Sequence, residues 1–339
     1  MRWRRCLAPA LLLIQLLMIL VLGGCGTGGG GDTVTIYSGR TSNLVGPILD
    51  RFAEETGISV EVRYGDSAEL ALLIQQEGDR TPADVFYSQS PGATEFLADH
   101  DRLASLSTDT LESVDQRFRD DEGKWVGVSG RQRVLVYNQD LVDAADLPGS
   151  VFDVTEPPLA GQVAVAPSNG SFQDFITAMV AREGRQRAVA FLDGLVATDA
   201  PTYANNNAIV EAVGRGEVPM GLVNHYYNYR FLDEDPDVAS RNHLFPGDDI
   251  GALVIASPIS VVEGTQHVDE AQQLIDFLLN AESQAYFAQE TFEYPLAQGA
   301  EPATDIPPLD TLDVPAVALD DLGSLEDTLE MIRNSGLAG

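Results

Sequence analysis

The amino-acid sequence predicts an α/β protein with two lobes. Three strand patterns alternate with three helix patterns over residues 33–103, an order typical of a parallel sheet with helices on both faces. A second strand–turn–helix unit begins near residue 161. About 310 residues follow the N-terminal segment, which is more than one hydrophobic core usually serves. We therefore expect two lobes, each a mixed sheet flanked by helices, joined by hinge strands.

The first unit is predicted from its hydrophobic periodicity. The stretch TVTIYSG (33–39) is a strand that ends in a glycine turn, and a helix is predicted between Ser42 as N-cap and Gly57 as C-cap. Its apolar residues recur at helical spacing: Leu44, Val45, Ile48, Leu49 and Phe52. Two more strand–helix pairs complete the unit: strand 58–66, helix 67–78, strand 83–89 and helix 92–103.

The remaining elements open a second α/β unit. Residues 125–142 are β-rich and are expected to contain short turns, and residues 161–184 read as strand, turn and helix. Residues 269–290 are predicted to form one amphipathic helix of about six turns. The other predicted elements are helices at 186–197 and 207–216, strands at 218–224 and 251–262, and helical sequence around 324–334.

The N-terminus has the pattern of a secretory signal. Arginines at Arg2, Arg4 and Arg5 precede an apolar run and the small residues before Cys25. A cysteine at this place matches a bacterial lipoprotein signal, with cleavage before Cys25 and lipidation of its thiol. The alternative is a transmembrane segment, because the apolar run is nearly long enough. Either topology places the rest of the chain outside the cytoplasmic membrane.

The predicted organisation follows from these patterns. We expect a signal peptide, a lipidated cysteine with a glycine-rich tether, and two lobes, each of which is discontinuous in sequence. The boundaries are 1–24 for the signal, 25–32 for the tether, 33–130 with 258–310 for lobe I, and 131–257 with 311–339 for lobe II.

Composition excludes several classes of function. The formal net charge of −32 becomes −35 when residues 1–24 are removed, because they carry three arginines and no acids. Such a surface repels nucleic acid and anionic lipid. Both cysteines lie at or before Cys25, so the mature chain has no thiol chemistry.

Enzymatic motifs are missing from the sequence. It contains no G-x-S-x-G, no P-loop, no H-E-x-x-H and no dinucleotide-binding glycine pattern after a strand. The four histidines are not spaced as a metal pair, and acidic neighbours such as Asp248 and Asp249 are expected by chance among 52 acids. Trp125 is the only tryptophan of the mature chain, so a sugar-stacking platform is not expected.

The most informative stretch is GLVNHYYNYR (221–230). Two adjacent tyrosines on a regular strand would point to opposite faces, so Tyr226 and Tyr227 converge only if the strand ends before them, as Asn224 and His225 suggest. Aromatic packing is the simple explanation. A convergent pair of phenols would also suit a hard trivalent cation, because hard cations take oxygen ligands and a bound cation favours the phenolate. Three phenolates would balance Fe³⁺, and Arg40 or Arg131 could hold an accompanying anion.

A broad resemblance joins these observations. In order along the chain stand TVTIYSGR, the stretch from FAEETG to DVFYSQ, WVGVSGRQRVLVYN, VAPSNGSFQDF, YANNNAIVEAVGRGEV, GLVNHYY and EYPL. Together they resemble the ferric-ion-binding proteins of bacterial iron-uptake ABC transporters over nearly the whole mature chain. The resemblance implies a two-lobed periplasmic-binding-protein clamp, type II-like, that holds iron in the interlobe cleft.

The resemblance also implies a set of site residues. Tyr226 and Tyr227 match the family's vicinal tyrosine pair, and Tyr137 matches a third tyrosine ligand. Arg40 and Thr41 match the loop that holds a carbonate. Where some members have a histidine and a glutamate, this chain has Thr41 and Gln89, so the carbonate-using branch is favoured over the phosphate-using one. The residues expected to line the site behind the ligands are Gln89, Asn169, Gly170, Ser171, Asn206 and Asn224.

The leading hypothesis is a lipid-anchored, monomeric solute-binding protein that delivers Fe³⁺ to a membrane permease and its ATPase. It is expected at the cell surface or in the periplasm, without enzymatic activity. The alternatives are a clamp for an organic or oxyanion solute such as a polyamine or phosphonate, an extracytoplasmic enzyme with tyrosine acids, and a sensor or adhesin. A broad, acid-lined pocket would favour the polyamine.

Overall fold

The computed structural model describes residues 33–312, 314, 315, 317 and 325–337. The predicted signal peptide, the lipidation site at Cys25 and the tether therefore lie outside the described residues. Within the described ranges, no helix combines the length and the apolar character needed to cross a membrane.

The described residues form strands and helices in close alternation. The strands are β1 Thr33–Ser38, β2 Ser59–Tyr64, β3 Val85–Tyr87, β4 Val126–Asn138, β5 Val163–Ala164, β6 Met220–Asn224, β7 Ser240–His243, β8 Val254–Val261 and β9 Tyr294–Pro295. The helices are α1 Ser42–Thr56, α2 Ser67–Glu77, α3 Pro91–Asp99, α4 Thr108–Glu112, α5 Gly170–Glu183, α6 Arg185–Ala197, α7 Asn206–Gly214, α8 His225–Glu234, α9 Val268–Leu279, α10 Ala281–Gln289 and α11 Leu325–Ser335.

The first sheet has the strand order β2-β1-β3-β8-β4. The pairs β1–β2 and β1–β3 are parallel, as the alternating pattern predicts. The pairs β3–β8 and β8–β4 are antiparallel, so the sheet is mixed. The five apolar residues predicted for one face of α1 are all buried, and each contributes about 1.5–3 kcal/mol to packing.

The second sheet shares β4 with the first. Residues Val126 to Gln132 of β4 pair with β8. Arg133 to Tyr137 pair with β6 on one side, and Leu135 to Asn138 pair with β7 on the other. The short strand β5 extends this sheet by pairing parallel to β6. The change of partner between Gln132 and Arg133 makes this point of β4 the junction of the two sheets.

Loops that carry polar residues leave the carboxyl ends of the parallel strands. Gly39 follows β1 and permits a close approach, since a Cβ at this position would lie 1.8 Å from the Ser67 hydroxyl oxygen. That hydroxyl accepts a hydrogen bond from the Gln89 amide after β3 at 2.9 Å. The loop that begins with Arg40 is thereby held against the loop after β3. Ligands of open α/β sheets bind at such strand ends.

One expectation about the elements is correct only in part, and another is wrong. Within residues 125–142, β4 runs unbroken for 13 residues, and the chain turns only after it, at residues 139–141. The single helix predicted over residues 269–290 is two helices. Asn280 adopts an extended conformation, with ψ of 163°, and its side chain accepts a hydrogen bond from Ser283 N, which starts α10. The apolar spacing continues across this break, so periodicity alone does not reveal it.

Helix α11 packs against the helices beside the second sheet. The Thr177 hydroxyl on α5 and the Thr328 hydroxyl on α11 are 3.0 Å apart. Met331 and Ile332 of α11 are buried in the same apolar cluster as Phe175 and Leu192. The chain thus returns to the second sheet after the α9–α10 segment, which packs on the first.

Candidate functional site

The adjacent tyrosines occupy the first turn of a helix that starts directly after a strand. Strand β6 ends at Asn224 and α8 begins at His225, so the strand has ended before the pair, as predicted. The rings of Tyr226 and Tyr227 stack with their centroids 4.1 Å apart. Tyr226 is 2% exposed, and Tyr227 is half-buried. Two phenols therefore face one region of the molecule.

The electrostatics of Tyr226 are dominated by burial. Burial raises the pKa of the Tyr226 phenol well above 10, and the neighbouring phenol of Tyr227 acts in the same direction. The guanidinium groups of Arg40 and Arg131 lower this pKa, and the carboxylate of Glu293 raises it. The free phenol is consequently neutral at ordinary pH, and a strong added positive charge is needed to ionise it.

Arg40 forms an ion pair with a carboxylate that was not predicted as its partner from the sequence. Its Nη2 atom donates to both carboxylate oxygens of Glu293, at 2.7 and 2.6 Å, and the two side chains are 1% and 0% exposed. The Nε and Nη1 atoms of Arg40 are buried without a hydrogen-bond partner. Burial alone would lower the pKa of Arg40, but Glu293 and the phenols of Tyr226, Tyr87 and Tyr227 raise it above its usual value.

Arg133 is a second buried arginine beside the pair. It is 1% exposed, and its Nη1 atom donates to Asn224 Oδ1 at 3.2 Å and to Ser171 Oγ at 3.4 Å. Its Nε and Nη2 atoms have no hydrogen-bond partner. Burial lowers the pKa of Arg133 to about 9, against the opposing effects of Tyr227 and Asp174, so the side chain remains a cation at neutral pH.

The start of α5 meets Arg133. Asn169 caps this helix by accepting from Ser171 N at 3.1 Å, and Asn206 donates to Ser171 Oγ at 2.8 Å. A Cβ at Gly170 would meet no atom within 4 Å, so open space borders this turn. Among the described residues, no carboxylate lies within salt-bridge distance of Arg133. A cationic side chain, amide groups and a helix N-terminus together form a cradle for an anion.

The side chain of Asn224 binds Arg133 and does not cap its own helix. It occupies the N-cap position of α8, but its side chain makes no capping hydrogen bond and accepts from Arg133 instead. An N-cap bond typically contributes about 1 kcal/mol. Local departures of this kind are expected at functional sites.

Arg131 completes a group of three arginines. It donates through Nη2 to the carbonyl oxygen of Gln89, and its Nε and Nη1 atoms have no hydrogen-bond partner. It acts electrostatically on Tyr226 and on Asp174 of α5. Burial raises the pKa of the Asp174 carboxyl to about 6 despite this arginine. The tyrosine pair is thus surrounded by buried cations with unused N–H groups.

Tyr137 lies away from the tyrosine pair. In the β4–β6 ladder Arg133 pairs with Asn224, whereas Tyr137 pairs with Met220. Four residue steps at about 3.4 Å each separate the two positions by roughly 14 Å along the strands. Tyr137 packs on the large apolar cluster. The structure therefore does not bring Tyr137 to the strand end that carries Tyr226 and Tyr227.

Thr41 and Gln89, two other loop residues predicted near the ligands, differ in exposure. Thr41 is exposed, and its hydroxyl donates to Asn43 Oδ1 at 2.6 Å. Gln89 is half-buried and contributes its backbone, since its carbonyl accepts from Arg131 and its amide donates to Ser67. Asn169, Ser171, Asn206 and Asn224 do come together, around Arg133.

Three residues at this site were missed from the sequence. Tyr87 ends β3, is fully buried, and lies within electrostatic range of Arg40 and Glu293, with its pKa raised by burial. Arg133 could have been found as the second arginine of the R-Q-R sequence in the β-rich stretch of an acidic chain. Glu293 begins the EYPL stretch of the resemblance, but nothing in the sequence indicated its pairing with Arg40, because one glutamate among 52 acids is not distinctive.

A cavity of about 220 Å³ opens beside Tyr227. Its polar lining comes from α1, α7 and α8: Asn43, Asn207, Glu211, Tyr227, Arg230 and Glu234. Glu211 is paired with Arg215 at 3.3 Å, and Arg230 adds a positive charge. This mixed lining differs from the broad acidic pocket that a polyamine would need. Among the described residues, no group of three or more His, Cys, Asp or Glu side chains is arranged to hold a metal.

Comparison with known proteins gives a consistent result. Residues 37–285 match the family model of the bacterial extracellular solute-binding proteins. The chain is 30% identical over 336 residues to a Fe(3+)-binding periplasmic protein of Serratia marcescens, covering 98% of both chains. It is 30% identical over 308 residues to the major ferric iron-binding protein of Neisseria meningitidis serogroup B, covering 90% of this chain and 93% of the relative.

The fold resembles that of a solved relative. The crystal structure of iron-bound HitA from Pseudomonas aeruginosa superimposes with a TM-score of 0.86 at 35% sequence identity, covering 90% of this chain and 99% of HitA. The mixed α/β clamp predicted from the sequence is confirmed by this match.

Proposed function

Because this chain belongs to the bacterial extracellular solute-binding proteins, we propose that its solute is Fe³⁺, held by the phenolates of Tyr226 and Tyr227. The strongest support is the stacked pair at the start of α8, next to buried arginines that favour the ionised phenols. A unit positive charge about 6 Å from a phenolate stabilises it by roughly 3 kcal/mol at an effective dielectric of about 20. The arginines alone do not overcome burial, whereas a nearby trivalent cation does.

An exogenous anion completes the proposed site. Arg133 is buried, makes no salt bridge among the described residues, and interacts electrostatically with Tyr227 and with the carboxyl group of Asp174. A buried charge without a hydrogen-bonded counter-ion is costly. An anion at the start of α5, against Arg133, Ser171 and Asn206, removes that cost and reaches towards the iron. A small dianionic oxyanion fits: carbonate, which the sequence comparison of branches favours, or hydrogenphosphate. Arg40 and Thr41 are the alternative holders, but Glu293 already occupies one edge of Arg40.

The number of phenolate ligands is the open part of this proposal. We infer that two phenolates and the anion bind the iron, because the β4–β6 register separates Tyr137 from the pair. The sequence-based hypothesis that Tyr137 is a third ligand stays a prediction, and it is tested below. Tyr226 and Tyr227 bind first, the anion follows, and the elements of the first sheet close over them. Release follows protonation of the phenolates, loss of the anion or reduction of the iron.

The proposed function implies which partners the protein has and where it is located. A solute-binding protein of this family acts outside the cytoplasmic membrane and hands its solute to a permease with an ATPase. We propose that the mature chain is a monomer without enzymatic activity, attached to the membrane through lipidated Cys25.

The decisive experiment is a visible absorption titration of the metal-free mature protein with ferric citrate. We expect a saturating phenolate-to-iron charge-transfer band that is abolished or strongly shifted in Tyr227→Phe and retained in Tyr137→Phe. Loss of the band in Tyr137→Phe would establish it as a third ligand. No band in the wild type would contradict iron binding, and binding of phosphonate or phosphate in its place would then indicate an oxyanion solute.

The same titration identifies the anion. It is run in anion-depleted buffer, with added bicarbonate, and with added phosphate. We expect Arg133→Gln to lower the iron affinity at least tenfold and to lose the response to the favoured anion. A matched control is Arg187→Gln, which removes an arginine at an exposed ion pair. A normal anion response in Arg133→Gln, together with its loss in Arg40→Gln, would place the anion on Arg40.

A further inference from the structure

Arg40 and Glu293 form the most deeply buried ion pair among the described residues. The two residues are 253 positions apart in the chain, and both carboxylate oxygens of Glu293 accept from the same guanidinium nitrogen. Thr291 adds a hydrogen bond to Glu293 Oε2 at 3.1 Å. A buried ion pair commonly gives no more stability than apolar residues of the same size. Stability alone therefore does not account for charges at this place.

Arg40 faces the candidate iron ligands. The phenols of Tyr226, Tyr227 and Tyr87 all act electrostatically on its guanidinium. When Fe³⁺ replaces two phenol protons, the site gains one positive charge. Without Glu293, the fully buried charge of Arg40 would add to this positive charge and would have no carboxylate partner of its own. Glu293 thus removes a repulsion that would oppose iron binding.

A short strap, residues 291–295, holds Glu293 in place. Phe292 has a positive φ of 57°, and its ring stacks with Tyr229 on α8 at 6.3 Å. Tyr294 packs its ring on His225 at 4.8 Å. The residues on both sides of Glu293 therefore contact α8 on both sides of the tyrosine pair, while Glu293 itself reaches Arg40. The strap sets the position of Arg40 relative to the phenols.

We propose that Glu293 is a built-in anion for Arg40, a positioning residue that takes the place a second exogenous anion would otherwise fill. The site then needs one exogenous anion, at Arg133. The effect on iron rests on the proposed function, whereas the occupation of Arg40 by a carboxylate does not.

The first test uses no iron. Glu293→Ala removes the carboxylate and leaves space beside Arg40 that formate can fill. We expect sodium formate to raise the Tm of the metal-free variant relative to sodium chloride at equal ionic strength, with no such difference in the wild type. Glu290→Ala is the matched control, because it removes the same charge three residues away at an exposed position. An identical response to formate and chloride in Glu293→Ala would overturn the proposal.

The second test measures iron affinity by competition with citrate at a fixed bicarbonate and phosphate concentration. We expect Glu293→Ala to bind iron at least tenfold more weakly and to regain most of this loss in formate. Glu293→Gln should also bind iron more weakly, but formate should not restore its affinity, since the amide fills the space beside Arg40. Wild-type affinity in Glu293→Ala would overturn the proposal. A wild type without a charge-transfer band refutes the iron function alone, because the formate test of Arg40 still decides this inference.

A double variant covers the case in which the single variants do not fold. Arg40→Gln combined with Glu293→Gln removes both charges and leaves the net charge of the site unchanged. If Glu293 serves to offset Arg40, this variant binds iron within tenfold of the wild type. If it folds and loses iron binding, Arg40 itself holds an exogenous anion, and the proposal is wrong.

Discussion

At the scale of single residues, two buried titratable groups beside the site have opposite effects on the free energy of unfolding as pH falls. Burial lowers the pKa of His225 to about 3, below the usual value near 6.5. Between these values the unfolded chain binds a proton that the folded chain excludes, so His225 lowers the free energy of unfolding as pH falls from 6.5. Burial raises the pKa of Asp174 to about 6 from 3.8. In that window the folded chain holds the extra proton, so Asp174 raises the free energy of unfolding as pH falls.

Single substitutions should expose these two effects with opposite signs. We expect His225→Asn to make the acid loss of stability between pH 6 and 4 shallower, and Asp174→Asn to make it steeper. The limit of each change is about 1.4 kcal/mol per pH unit. Urea unfolding of the metal-free protein at pH 4, 5 and 6 measures the slopes. The exposed Glu290→Gln variant should keep the wild-type slope, and a change of the same sign in both buried variants would contradict the prediction.

At the same scale, some features of the site could be predicted from local sequence and others could not. The adjacency of Tyr226 and Tyr227 is covalent, and the polar residues before them announce the end of β6, so the pair could be predicted. The partner of Arg40 could not be, because Glu293 comes from a distant segment. The surroundings of Arg133 likewise depend on the tertiary structure, which brings Asp174 within electrostatic range of it without forming a salt bridge.

At the scale of elements, helix ends depend on side-chain capping as much as on periodicity. Asn280 interrupts an apolar pattern that continues through α9 and α10, because its side chain accepts from Ser283 N at 2.8 Å. The elements with strong local periodicity, such as α1, were predicted closely. The unbroken β4 was not, because its continuity comes from pairing with β8, β6 and β7.

The cap at Asn280 can be tested directly. Asn280→Ala should lower the free energy of unfolding by about 1 kcal/mol, the usual contribution of an N-cap. Asn280→Asp is the matched control, because aspartate caps helices as well as asparagine does. Urea denaturation of the metal-free protein gives both values. Equal losses in the two variants would show that the cap is not the source of the effect.

At the scale of the whole molecule, the dominant feature is negative charge. The chain contains 52 acidic residues against 20 basic ones, and the mature part is more acidic still. Self-repulsion of this kind destabilises a compact state, and the Debye length shrinks from about 10 Å at 0.1 M salt to about 3 Å at 1 M. Several of the few arginines are nevertheless buried around the tyrosine pair. The interior site therefore has a charge opposite to that of the surface.

Salt should consequently stabilise the metal-free protein. We expect its Tm to rise by about 2–4 °C between 0.05 and 0.5 M sodium chloride, which corresponds to roughly 1 kcal/mol for a chain of this size. Differential scanning calorimetry measures the change, and potassium chloride should reproduce it because the effect is screening. A Tm that falls or stays constant with salt would contradict this account.

The amino-acid sequence by itself determined the α/β class, the order of most elements and the tyrosine pair, because these depend on periodicity and on residues that are neighbours in the chain. Only the tertiary structure decided which charges meet. It joined Arg40 to Glu293, brought Asn169, Ser171, Asn206 and Asn224 around Arg133, and placed Tyr137 four pairs along the ladder from Asn224. The physical reason is that strand register and buried ion pairing are set by segments far apart in sequence, which come into contact only after the sheets have formed.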